Sequence, residues 1–254
     1  MSQNILLNAI QQYINSLKKG NINITSPGTS IDKLKRDTKE QTMSYLFSFN
    51  LKTNLVQGYI NDLQSALAKS DKCFISIKFK TLRKFISGWS PIYFITEVPM
   101  SWDLVLDTPY ISGSTIKGIL RDYFNEIVKD DNKTSCIFGD KNDVGKVIFF
   151  NAYPISPSKI LAYDILTPHY NNADNEYDVN PNPIKFLTIN EGVEFITFIA
   201  FNKKELEECS KDSLSQILKT FLLSMKMGWG RRTSRGYGNL EIITKEVELK
   251  CPSS

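Results

Sequence analysis

Ile75, Ile77 and Phe79 alternate with Ser76, Lys78 and Lys80, a period of two that predicts a half-buried strand with a basic outer face. Some thirty residues later Gly113-Ser114 opens a helix, with Ser114 as the expected N-cap. Ile116, Ile119, Leu120, Tyr123, Phe124 and Ile127 make its buried stripe. A strand is expected from Val147 to Phe150, and another where Val193, Phe195, Thr197, Ile199 and Phe201 alternate. Leu206, Leu214, Ile217, Leu218, Phe221 and Leu222 place a helix over 203–226, and Leu240, Ile242 and Ile243 a closing strand. The order β-α-β-β-α-β predicts an α+β, ferredoxin-like (RRM-like) fold, an antiparallel sheet with two helices on one face.

The rest of the chain is attached to that repeat. Ile5, Leu6, Ala9, Ile10, Tyr13, Ile14 and Leu17 form a helical stripe closed by Gly20, and Leu55, Val56, Tyr59, Ile60, Leu63 and Leu67 form a second. Residues 1–70 therefore read as a helical N-terminal extension and 71–254 as the ferredoxin-like domain. Two insertions interrupt that domain, near 87–112 and 152–190. Connections of that length are uncommon unless they serve a function.

Composition narrows the class. With 41% hydrophobic and 23% charged residues and no low-complexity tract, the 254 residues suit a folded globular protein. The net charge of +4 is too small to mark a nucleic-acid binder, so local clustering must carry any such claim. Cys73, Cys136, Cys209 and Cys251 have no CxxC spacing, and a single histidine cannot complete a zinc site. They read as thiols in a reducing compartment, with no metal or cofactor expected. No basic segment precedes an apolar run at the start and no apolar stretch is long enough to span a bilayer. A cytoplasmic protein is expected, with no membrane partner.

Clustering appears near the end of the chain. Gly228-Trp229-Gly230 and Gly236-Tyr237-Gly238 enclose a tract containing Arg231, Arg232 and Arg235. Glycines at these places suit a tight, exposed loop, and guanidinium forks match phosphate oxygens. Trp229 and Tyr237 could stack on a base or pin the loop to the core. A second basic feature lies on the first core helix, where Ser114, Lys117 and Arg121 share a face beside free N-terminal amides. Gly118, in mid-helix, suggests that something packs closely there. The RNA-binding candidates are thus Ser114, Lys117, Arg121, Gly228, Gly230, Arg231, Arg232, Arg235, Gly236 and Gly238.

These segments resemble the RAMP superfamily, RNA-binding proteins of CRISPR systems. Gly228 to Gly238 is similar to its glycine-rich loop, and Pro109 to Gly118 to its loop-to-helix motif, with Ser112 in place of a usual proline. Phe138-Gly139, Gly145 to Ala152, Asp164 to Tyr170 and Pro183 to Leu187 extend the likeness toward Cmr-type (type III-B) CRISPR effectors. The resemblance spans about residues 73–245. It implies a RAMP fold and a non-catalytic subunit near the 3′ end of the guide RNA (crRNA), capping the helical backbone in antiviral defence. It implies as neighbours the repeated RAMP backbone subunit, the small helical subunit and the other terminal RAMP subunit. Target RNA stays open as a further ligand.

Other candidates point elsewhere. His169, the only histidine, could serve as general acid or base in a RAMP endoribonuclease that processes precursor guide RNA. No second titratable residue pairs with it on one element, which favours a structural histidine. Asp103 and Asp107 could hold a metal, although two acids near a strand end are common. Trp89, Trp102 and Tyr110 suit base stacking or core packing equally. Lys33-Leu34-Lys35-Arg36 reads as a solvated face. No complete catalytic set is visible in the sequence.

Overall fold

Residue 46 begins the first continuous stretch described in the computed structural model; 46–86, 100–166 and 183–252 are described, with positions 7, 8, 11, 14, 15 and 18, which are helical. Trp89, His169 and the run 33–36 lie outside the described residues. The elements are α1 (Thr53–Ala68), β1 (Cys73–Thr81), β2 (Trp102–Asp103), β3 (Thr108–Pro109), α2 (Gly113–Val128), α3 (Asp131–Phe138), β4 (Val147–Phe149) and β5 (Tyr153–Ser156). They continue as β6 (Leu161–Leu166), β7 (Ile184–Ile189), β8 (Glu194–Phe201), α4 (Lys203–Cys209), α5 (Ser213–Met227) and β9 (Leu240–Lys250). The helix expected over 203–226 is in fact two, divided at 210–212.

The main sheet has the order β4-β8-β1-β9, and β5 also pairs with β8. Every pairing is antiparallel. Counting only the strands of the repeat, the order is second, third, first, fourth, the ferredoxin-like arrangement that the sequence predicts.

The register assigns the two sheet faces. Phe79 lies opposite Phe195, and their rings stack at 5.5 Å. Phe79 also meets Trp229 at 5.8 Å, and Trp229 meets Phe221 of α5, so this face carries the helices of the repeat. The other face holds Phe74, Ser76, Ile196 and Phe198, all buried. Tyr153, opposite Ile196, meets Tyr59 of α1 at 5.2 Å, so α1 covers this second face. Val56, Ile60 and Leu67 of α1 join the same core cluster. Burial of apolar area on both faces is the main stabilising term, roughly 1.5–3 kcal/mol for each fully buried large side chain.

Two expectations for this region need correction. The outer face of β1 is not an open basic surface: Ser76 is buried, Lys78 pairs with Glu246, and Lys80 pairs with Glu241 at 3.1 Å. Charges on adjacent strands neutralise one another across the pleat. Nor are the cysteines free thiols, because Cys73 bonds to Cys251 and Cys136 to Cys209. The β1–β9 register sets Phe74 opposite Lys250, which brings the next pair, Cys73 and Cys251, face to face. The second disulfide ties α3 to α4. Partners 178 and 73 residues apart leave no local spacing signature. Among the described residues, no helix is long and apolar enough to cross a membrane.

Candidate nucleic-acid interface

The glycine/arginine loop begins where α5 ends, with the Gly228 amide donating to the Ser224 carbonyl. Trp229 is wholly buried against Phe79 and Phe221, and its indole Nε1 donates to Ser224 Oγ at 3.0 Å. Of the two roles open to Trp229, it therefore pins the loop. The far end is zipped to it: the Trp229 amide donates to the Gly238 carbonyl at 2.9 Å. A Cβ on Gly238 would stand 1.9 Å from the Trp229 carbonyl oxygen, and φ there is +80°, so only glycine lets the two ends meet.

The loop also rests on the chain that follows β1. Gly238 N–H donates to the Lys84 carbonyl at 3.0 Å, and Arg231 N–H to the Ile86 carbonyl at 3.3 Å. Thr233–Arg235 forms a single 3₁₀ turn at the tip. Arg231 and Arg235 are exposed. Arg232 is half-buried with φ +62°, and its guanidinium lies 5.7 Å from the centre of the Phe186 ring.

Beside the loop stands the β6–β7 ribbon, which belongs to the second insertion. Tyr237 Oη donates to Asp164 Oδ2 at 2.7 Å, and Lys84 Nζ donates to the same oxygen at 3.1 Å. Burial opposes ionisation of Asp164, but bonds from Tyr237, the Ile165 amide and Lys84, with the Lys84 charge, together lower its pKa. Tyr237 moves the other way. Burial first, then the bond to Asp164 and its charge, push the phenol up to about 12, against the pull of Arg232 and Arg235.

The second basic feature is built differently. Ser112, not Ser114, caps α2: its backbone is extended and its Oγ accepts from the Thr115 amide at 3.1 Å. The helix starts two residues earlier than expected because Gly113 packs tightly on β4, its N–H donating to Asn151 Oδ1 at 2.9 Å. Ser114 is exposed; Lys117 and Arg121 are half-buried along one face. Nothing lies within 4 Å of where a Gly118 Cβ would be, so within the chain Gly118 is not a packing contact as expected. Asp140, held below its usual range by the amides of Asn142 and Asp143, is lowered slightly further by the Arg121 charge.

Topology relates the two features. The Cys136–Cys209 bond sets the C-terminal end of α2, through α3, beside α4, which follows the end of β8. Helix α5 starts at that same end and finishes beside the residues after β1. The two helices are antiparallel, so the start of α2 and the glycine/arginine loop lie toward one end of the sheet.

The remaining candidates serve packing. Asp107 is buried, receiving Lys52 Nζ at 2.6 Å and Trp102 Nε1 at 3.3 Å. Asp103 accepts from the amides of Val105 and Leu106 and from Tyr153 Oη at 2.7 Å. Trp102 meets Phe49 edge-on and Tyr110 stacks on Tyr153. Among the described residues no three His, Cys, Asp or Glu side chains gather as a metal site would require. Sequence reasoning missed Asp164, Lys84 and Phe186 as neighbours of the loop. Asp164 and Phe186 lay within quoted motifs, but no spacing tied any of the three to residue 237.

The comparisons with known proteins agree with this geometry. The RAMP superfamily model matches residues 90–241. Over 203 residues the chain is 31% identical to the CRISPR system CMR subunit Cmr6 of Saccharolobus solfataricus, covering 79% of this chain and 69% of that one. Over 117 residues it is 32% identical to Cmr6 of Pyrococcus furiosus, covering 41% of this chain and 33% of that protein. The fold matches a chain in a cryo-EM structure of the type III-B Cmr-beta complex bound to cognate target RNA. That match has a TM-score of 0.82 at 23% identity, over 99% of this chain and 94% of the other. The chain belongs to the RAMP superfamily and, within it, to the Cmr6 family.

Proposed function

We propose that this chain is a non-catalytic crRNA-binding subunit that caps the backbone of a cytoplasmic type III-B Cmr complex near the crRNA 3′ end. It serves there in defence against foreign nucleic acid. The observation that carries the reading is the pinned loop, which holds the exposed Arg231 and Arg235 outward on a scaffold of buried Trp229 and zipped Gly238. A rigid scaffold presents cations to phosphates at little entropic cost. The loop residues Gly228, Gly230, Arg231, Arg232, Arg235, Gly236 and Gly238, with Ser114, Lys117 and Arg121, form the proposed interface. Phosphate contacts position RNA without reading its sequence, which fits a guide of variable sequence. The proposed partners are the repeated RAMP backbone subunit, the small helical subunit, the other terminal RAMP subunit and target RNA.

Two measurements test this. Mixed with guide RNA and the backbone subunit at low salt, the chain should co-elute as one complex; failure to do so removes the capping role. The purified chain should leave precursor and target RNA intact with or without magnesium. Specific cleavage that disappears in a folded His169→Ala variant would establish the endoribonuclease reading instead.

A further inference from the structure

The loop holds three arginines, yet the structure does not treat them alike. Arg231 and Arg235 are exposed at the tip, whereas Arg232 turns back over Phe186 of β7. Phe186 is 1% exposed and packs with Ile86 as a small satellite core, with Leu166 and Tyr237 against it. On the same side of the ribbon, Asp164 receives both Tyr237 from the loop and Lys84 from beneath it. Lys84 binds the Tyr163 carbonyl as well, and its own carbonyl receives Gly238 N–H. Three segments far apart in sequence thus converge on one carboxylate.

We propose that Asp164 is a positioning residue for the glycine/arginine loop: with Tyr237, Lys84 and the Arg232–Phe186 stack it latches the loop to the β6–β7 ribbon, leaving Arg231 and Arg235 to meet phosphate. This rests on the RNA-binding reading above and assigns separate tasks within it. A carboxylate among cations that meet RNA repels phosphate, so electrostatics alone disfavours it. Its place there is accounted for by holding the loop still.

That opposition gives a test by sign. Affinity of the full chain for two unrelated labelled single-stranded RNAs is measured across a salt series. Arg231→Ala and Arg235→Ala should each weaken binding and reduce the log-log salt slope by about 0.7. Asp164→Ala removes a negative charge and yet should weaken binding, about three- to tenfold, with the slope unchanged. Tyr237→Phe, which removes one oxygen from a half-buried ring, should do the same and hasten hydrogen exchange of the loop amides. If the Arg231 and Arg235 variants bind as the wild type does, the RNA reading itself fails. If they respond but Asp164→Ala tightens binding, or Tyr237→Phe leaves affinity and exchange unchanged, the latch alone is overturned. Arg232→Ala with a slope loss equal to that of Arg231→Ala would also overturn it, by making Arg232 a phosphate ligand.

Discussion

The glycine/arginine loop and the leading face of α2 present similar side chains, but the chain builds them in opposite ways. The loop is irregular backbone made rigid by tertiary contacts: a buried indole at one end, a zipped glycine at the other, and a tyrosine latched to a distant ribbon. The α2 face is regular backbone that needs little help. Its cap is local, Ser112 to Thr115, and its basic residues follow from helical spacing. An irregular site depends on many weak, distant contacts and fails as a unit. A helical site degrades one residue at a time.

Gly238→Ala should break the loop most severely. Its Cβ would collide with the Trp229 carbonyl at 1.9 Å, backbone against backbone, and we expect a loss on the order of 4 kcal/mol or more. Gly236→Ala is the control: φ is +84° but the space is open, so only the left-handed strain of roughly 1–2 kcal/mol applies. Thermal melts that shift equally for both would show that the zipped ends do not hold the loop.

Next in size is the covalent support on the other side of the molecule. Replacing Cys136 and Cys209 together by alanine should cost about 2–4 kcal/mol, read in a urea titration without reductant so that the wild-type bond stays intact. The disulfide braces α3, whose Phe138 packs edge-on against Phe124 of α2, and it is remote from the loop. Loop hydrogen exchange should therefore stay as in the wild type, and faster exchange there would dissolve the separation drawn between the two regions.

Gly118→Ala should have a smaller effect of opposite sign. With nothing within 4 Å, the methyl group should stabilise α2 by up to about 1 kcal/mol. A variant that melts higher but binds RNA less well would place RNA on the bare backbone there. A variant unchanged in RNA binding would show that RNA does not lie against the backbone at Gly118.

The finest distinction concerns pH. The phenol of Tyr237 is raised to about 12 in the fold, above its ordinary value near 10. Its contribution is thus fully present below pH 10 and is lost as the pH rises toward 12. Asp164, shifted down, stays ionised across that window. The stability difference between wild type and Tyr237→Phe should therefore shrink between pH 10 and 12; a difference that persists above 12 would mean that the hydroxyl does not hold the loop.

Much of this was legible from local pattern. The strand and helix periods placed β1, α2, β8, α5 and β9 in their order, because burying one face imposes a repeat of two or 3.6 on the residues themselves. The paired Gly-aromatic-Gly motifs marked the loop for a similar reason, since an αL turn restricts residue choice locally. The N-cap falls at Ser112, two residues before Ser114, because Gly113 makes the close approach to β4, a contact between segments some 36 residues apart.

What the sequence by itself determined is the order of the repeat's β-α-β-β-α-β elements, the ferredoxin-like class and the two basic stretches, all properties of neighbours along the chain. Tertiary structure alone decided the cysteine pairing, the neutralising of Lys78 and Lys80 by β9, the covering of the second sheet face by α1, and the seat of the loop on Asp164. Each of these joins residues whose separation in sequence carries no periodic signal. Their proximity arises only when strand register and helix packing fix distant segments in space.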